Sequence, residues 1–217
     1  MAFYRRNLPH LQFVGAEYFV TFRLYGSLPG HIIMELNELR KQLGIWDENV
    51  TPSENKQKMD RLIRNKFESY LDKSLYGPQW LRKSSIAEIV EEAIHFRNGR
   101  LYELYAYSIM SNHVHMVFQH IEHKSKIKST DHLLLKDFPV TKILADLKKF
   151  TAGKCNRRLG RRGHFWQAEN FDRLIRNNKE LENCIRYTLN NPVKAGLVEY
   201  WDNWPHSYCK PEFFDSI

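Results

Sequence analysis

The sequence predicts an α+β domain, one antiparallel sheet with helices packed on one face, and three observations predict it. Stretches with the two-residue alternation of strands and stretches with the 3.6-residue recurrence of helices follow the order strand, helix, strand, strand, helix, strand, helix. The two central strands are separated only by Ser111-Asn112, as in a hairpin. The 217 residues, 42% of them hydrophobic, suffice for a substantial core, so one domain over residues 1–217 is expected.

The first strand is Glu17 to Leu24, rich in aromatic and β-branched side chains and broken by Gly26 and Pro29. Residues from about 27 to 83 stand outside the alternating order and read as a helical insertion. They hold one helical stretch with Ile32, Leu36, Leu39 and Leu43 at helical spacing, and a second from Ser53 through Met59, Leu62, Ile63, Phe67 and Tyr70 to Leu71. Gly77-Pro78 closes the segment. The next helix starts at Ser84 or Ser85 with Ser85 and Glu88 as a capping box, buries Ile86, Ile89, Val90, Ala93 and Ile94, and stops at Gly99. Leu104 to Met110 and His113 to Gln119 are the hairpin strands. Lys124 to Asp137 is a polar loop before a helix that opens at Thr141, with Ile143, Leu144, Leu147 and Phe150 on its apolar side. A basic turn at Gly160 to Gly163 and a short strand around His164 to Phe171 follow. The last helix runs from Asn177, capped with Glu180, to about Asn190, and Pro192 is expected to end it. Without the 27–83 segment this order suits a ferredoxin or RRM-like layout.

Lys and Arg number 33 against 25 Asp and Glu, a formal charge of +8, which favours a polyanionic partner. The excess is concentrated. Lys148, Lys149, Lys154, Arg157, Arg158, Arg161, Arg162, Arg173, Arg176 and Lys179 are opposed only by Glu169 and Asp172, and Phe150, Phe165, Trp166 and Phe171 are interleaved with them. Cations neutralise phosphates and aromatic faces stack unpaired bases, a combination suited to single-stranded DNA. A solvated basic helix over ordinary core aromatics reads the same way in composition. Cys155, Cys184 and Cys209 form no CxxC pair, which suits a reducing compartment and neither a disulfide framework nor a structural zinc site. No apolar run approaches the roughly 18 residues of a membrane span, and no secretory segment follows Met1-Ala2-Phe3-Tyr4-Arg5-Arg6, so a soluble cytoplasmic protein is expected.

Strand alternation in His113-Val114-His115-Met116-Val117-Phe118 puts both imidazoles on one face, where they can share a metal ion. Hydrogen-bonded histidines on a sheet surface would give the same pattern. In the last helix Leu181, Cys184, Ile185, Thr188 and Leu189 form the buried stripe, which leaves Tyr187 and Asn191 together on its flank. A phenol is a poor nucleophile at neutral pH unless a metal or a basic group eases its ionisation. A helix tyrosine can equally be packing, and an Asn before Pro a simple helix stop. His120 has the opposite parity to His113 and His115 and should face away from them; His120 and His123 both read as surface residues.

Ser111-Asn112-His113-Val114-His115, then His164-Phe165-Trp166-Gln167, then Tyr187-Thr188-Leu189-Asn190-Asn191-Pro192-Val193-Lys194-Ala195-Gly196-Leu197-Val198 occur in this order, and Trp204-Pro205-His206-Ser207 closes the set. Together they resemble the REP-associated tyrosine transposases, within the single-tyrosine HUH transposases. The resemblance spans the chain from the first strand to Ser207 except for the 27–83 segment. It implies Tyr187 as nucleophile, His113 and His115 as metal ligands, Asn191 at the third ligand position and Mg²⁺ or Mn²⁺ as the ion. The activity implied is cleavage and rejoining of hairpin-bearing single-stranded DNA through a 5′-phosphotyrosine link, in a bacterial cell at the nucleoid. The alternatives are a non-catalytic DNA-binding protein derived from a transposase, which binds without forming adducts, and an RNA-binding module, for which no RNP-type signature is present. The sequence leaves monomer and homodimer, and a Tyr187 helix serving its own or a partner's histidines, equally open.

Overall fold

The protein is described here by a computed structural model covering residues 2–5, 9–42, 52–73, 76–122 and 139–216. The strands are β1 (Ala2–Arg5), β2 (Pro9–Gln12), β3 (Glu17–Arg23), β4 (Tyr102–Ile109), β5 (His113–His120), β6 (Phe171–Leu174) and β7 (Ser207–Cys209). The helices are α1 (Gly30–Gln42), α2 (Pro52–Asp72), α3 (Ser84–Arg97), α4 (Pro139–Arg158) and α5 (Asn178–Lys194). Strands β1 and β2 pair as a separate hairpin, and the other five form a sheet in the order β6-β3-β5-β4-β7 in which every pairing is antiparallel.

The two central strands are apolar on both faces, and that decides the layering. Tyr18, Val20 and Phe22 of β3 and Val114, Met116 and Phe118 of β5 point to one face, where Ile86, Val90 and Ile94 of α3 and Ile143, Leu144 and Leu147 of α4 cover them. Phe19 and Val117 point to the other, against Leu181, Cys184, Ile185 and Leu189 of α5. Each such aliphatic side chain contributes on the order of 1.5–3 kcal/mol when fully buried. The α+β class and the antiparallel sheet are as expected, but the helices lie on both faces rather than one. A run such as Tyr18-Phe19-Val20-Thr21-Phe22, buried at every position, requires cover on each side.

The hairpin forms at Ser111-Asn112, with Met110 N–H donating to His113 O at 2.9 Å. The strand expected around His164 to Phe171 begins only at Phe171, which pairs with Thr21; the preceding residues carry Phe165 and Trp166 into the core against Trp80 and Phe22. Pro192 does not end α5, which continues to Lys194 while Ala195 and Leu197 N–H groups satisfy the carbonyls of Asn191 and Pro192. Helix α3 starts on Lys83 with no side-chain cap, so the Ser85 capping box does not form, whereas Asn177 accepts from Glu180 N–H at 2.9 Å. Phe150 is 45% exposed, beneath the cations of Arg97 and Lys154. The expected loop from Lys124 to Asp137, and His123, lie outside the described residues.

Helices α1 and α2 have a small core of their own, Leu28, Ile32, Leu36 and Leu71 with Phe67, Tyr70 and Tyr76. Where this pair joins the sheet, Gly77 has φ +70° and a Cβ there would overlap the backbone carbonyl of Gly26. Left-handed backbone costs a non-glycine residue roughly 1–2 kcal/mol even in open space. Gly77→Ala should therefore destabilise by about 2 kcal/mol or more, seen as a Tm lowered by roughly 4–8 °C. Gly99→Ala, at φ +72° with nothing within 4 Å, should show only the smaller backbone cost.

Lys148 is buried, and its ammonium donates to the carbonyls of Gln167 and Ala168 at 3.1 and 3.3 Å. Burial, with Arg23 nearby, lowers its pKa to about 7. The folded chain then binds fewer protons than the unfolded chain between pH 7 and the ordinary lysine range, so this residue makes stability rise with pH across that interval. The Tm of the wild type should rise between pH 7 and about 9.5, and Lys148→Met should flatten that rise in a thermal melt series.

Candidate metal and nucleophile site

His113 and His115 stand on β5 with no solvent exposure, facing α5, as alternation predicts. Their Nε2 atoms lie 2.9 Å apart. His113 donates through Nδ1 to Asn112 Oδ1 at 2.7 Å, which leaves its Nε2 as a lone pair. His115 Nδ1 meets the Thr21 hydroxyl at 2.8 Å, a group that can donate or accept. The rotor lets His115 carry its proton on Nε2, shared with His113, or on Nδ1, with both Nε2 lone pairs pointing at one spot. A carbonyl in place of Thr21 would allow only the second state.

The third member comes from the segment whose role the sequence left open. Asp72, the last residue of α2, places Oδ1 at 3.5 Å from His113 Nε2 and 3.7 Å from His115 Nε2. The ligand atoms of Asp72, His113 and His115 all fall within 4.8 Å of one another. Burial pushes the Asp72 carboxyl up, but the two imidazoles more than offset it and hold it well below the ordinary carboxylate range. Burial and the neighbouring His113 lower His115 to about 4. Both groups therefore stand at neutral pH in the forms that bind cations.

Asn191 is fully buried, and its Nδ2 donates to Tyr187 O at 2.8 Å. Its Oδ1, like Asp72 Oδ1, has no hydrogen-bond partner among the described residues. A buried acceptor left so costs about 1–3 kcal/mol; Asp72 Oδ1 belongs to the His-His-Asp cluster, which has the donor types a divalent ion takes, and Asn191 stands one helical turn beyond Tyr187.

Tyr187 lies edge-on to His115, with ring centroids 5.3 Å apart, and packs against Phe19. Its hydroxyl donates to Asp72 Oδ2 at 3.4 Å, and Lys194 Nζ stands 4.5 Å from its ring centroid. Burial, then the carboxylates of Glu68 and Asp72, hold the phenol far above its ordinary pKa. Tyr187 and the two histidines therefore converge within one chain.

The basic residues divide. Lys149, Lys154, Arg157 and Arg158 are exposed on α4, across the sheet from Tyr187. Arg161 sits over the Trp80 ring and bonds to His164 O, and Arg162 is exposed beside it. Lys148 and Trp166 are interior, the indole donating to Thr151 Oγ1 at 2.8 Å, and neither faces solvent. Arg173 and Arg176 flank the Tyr187 side, Arg173 in an ion pair with Glu180. His120 faces away from the site, its Nδ1 accepting from Gly15 N–H.

Asp72, Glu68 and Lys194 were not anticipated. One signal for the acids was present: Glu68 and Asp72 are four apart on a helix whose last turn contains no base. Like charges at that spacing, at the negative end of the helix dipole, break local rules as functional positions often do.

No protein-family model matches the chain. A relative from Haemophilus influenzae with the description "Putative REP-associated tyrosine transposase" is 30% identical over 106 residues, 49% of this chain and 58% of that protein. The match thus spans little more than half of the relative. A solved structure titled "Structure of the REP associates tyrosine transposase bound to a REP hairpin" superposes with a TM-score of 0.52 and 18% identity, covering 99% of this chain and 84% of that one. The motif resemblance therefore agrees with the sequence relative, and the α+β fold with the structural neighbour. No helix among the described residues is long and apolar enough to cross a membrane.

Asp72→Ala should weaken Mn²⁺ binding, followed by isothermal titration, by at least tenfold, since even groups that only support metal ligands cost about 10–100-fold when lost. Unchanged affinity would remove Asp72 from the ligand set.

Proposed function

We propose that this chain is a REP-associated tyrosine transposase, a metal-dependent endonuclease and strand transferase acting on single-stranded DNA that carries hairpins. The observation that supports this reading most is the meeting of the Tyr187 phenol with Asp72 and His115, where Asp72 Oδ1 has no hydrogen-bond partner among the described residues. The Haemophilus relative and the hairpin-bound structural neighbour point to the same substrate class.

Asp72, His113, His115 and Asn191 would hold the ion, Mg²⁺ or Mn²⁺, which when bound polarises a phosphate beside it. Tyr187 supplies the attacking oxygen. Its Oη–P bond forms as the P–O3′ bond of the substrate breaks; the phenol gives up its proton, with the carboxylates of Asp72 and Glu68 beside it as acceptors, and the departing 3′-oxygen gains one. The products are a 5′-phosphotyrosine and a free 3′-hydroxyl. Phosphodiester energy is retained in the link, so a second 3′-hydroxyl can reverse the step and join strands without ATP. Thr21 and Asn112 act as positioning residues that orient the two imidazoles. Lys194, over the Tyr187 ring, places a cation where phosphate charge would accumulate.

The test is incubation with hairpin-bearing single-stranded oligonucleotides and Mg²⁺ or Mn²⁺, followed by a denaturing gel. A shifted protein–DNA adduct is expected, lost in Tyr187→Phe and in chelator and restored by added metal. An adduct that persists in Tyr187→Phe would exclude this tyrosine as nucleophile.

A further inference from the structure

Tyr187 also lines a cleft of about 550 Å³ that opens between α2 and α5. The residues of α5 that line it include Lys179, Asn183 and Tyr187, four apart, and those of α2 are Arg61, Asn65 and Glu68. Glu68 and Asp72 act on Tyr187, and Arg61, Asn65, Lys179 and Asn183, one to two turns toward the N-terminus of each helix, line the same cleft. From Tyr187 to Lys179 is eight residues of helix, on the order of 12 Å.

The cleft carries both charges. Glu68 in the lining and Asp72 beyond it act on the Tyr187 phenol, and the cations of the lining are Arg61, Arg173, Arg176 and Lys179. Glu180, the acid among them, is taken up by Arg173 and by the backbone N–H of Arg176. Arg61, Arg176 and Lys179 are solvent-exposed. Such a volume is that of a pocket for one small molecule, too narrow to admit a double helix.

We infer that this cleft holds the single-stranded DNA adjoining the scissile phosphate, with Arg61, Arg176 and Lys179 on its backbone phosphates and Asn65 and Asn183 within reach of sugar or base. The assignment rests on the nuclease reading above and extends it, making α2 a DNA-binding surface as well as the source of Asp72. It also gives the strand a defined exit from Tyr187 on one side of the cut.

The probe is a hairpin oligonucleotide with single-stranded flanks of about six nucleotides on both sides, compared with oligonucleotides lacking either flank. Binding to wild type and to the Arg61→Ala/Lys179→Ala double variant is measured from about 50 to 300 mM KCl. Both residues are exposed, and an unchanged Tm verifies the fold. Loss of two single-strand phosphate contacts should reduce the slope of log K against log salt by about 1.4. Affinity should fall at least tenfold at the lowest salt, and the difference should vanish when one particular flank is removed. Unchanged affinity and slope, or the same loss for a hairpin without flanks, would overturn the assignment. The adduct assay separates the two ideas: a wild-type adduct with an unaffected double variant removes only the cleft, while a flank-dependent loss without any adduct keeps the cleft and removes cleavage.

Discussion

Everything in this fold is arranged around a polar cluster kept in a dry layer. Two imidazole nitrogens 2.9 Å apart and a carboxylate below 4 Å from both, its Oδ1 without a hydrogen-bond partner among the described residues, meet beside Tyr187 of α5. Such a grouping is unfavourable unless something binds there, and it survives because the surrounding contacts overdetermine it. Asn112 and Thr21 hold the rings from behind, Phe19 stacks on His115, and α5 is fixed by its own apolar stripe.

The sheet makes this possible by serving two interiors at once. Even-numbered side chains of β3 and β5 build the main hydrophobic core with α3 and α4, while odd-numbered ones provide both the second core and the imidazoles. A one-residue slip would exchange the imidazole face for a packing face, so register and the histidine cluster are specified together. The pairing of Thr21 with His115 and Arg23 with His113 is the register that places the hydroxyl behind its ring.

Much of this was legible locally. The alternation around His113 and His115, the stripe of α5 and the Asn177 cap all rest on short-range periodicity, and the structure follows them. What sequence could not supply was long-range. Nothing near residue 72 indicates that α2 ends beside β5, more than 40 residues later, and only the acidic end of that helix hints at a constraint. Lys148 and Trp166 read as surface groups because composition does not reveal which side of a helix or loop meets the core. The short strand β7 has too few residues for a pattern, and it exists because β4 offers an edge to pair with.

The junction of Gly26 with Gly77 separates two design variables. Both ends of the α1–α2 pair are clamped together at the rim of the sheet, so the excursion between them is a closed loop whose length matters little to the rest of the chain. Asp72 lies only five positions before that clamp. The reach of the arm can therefore drift over evolutionary time, lengthening or shrinking at its tip, while the carboxylate near its root keeps its place beside the histidines.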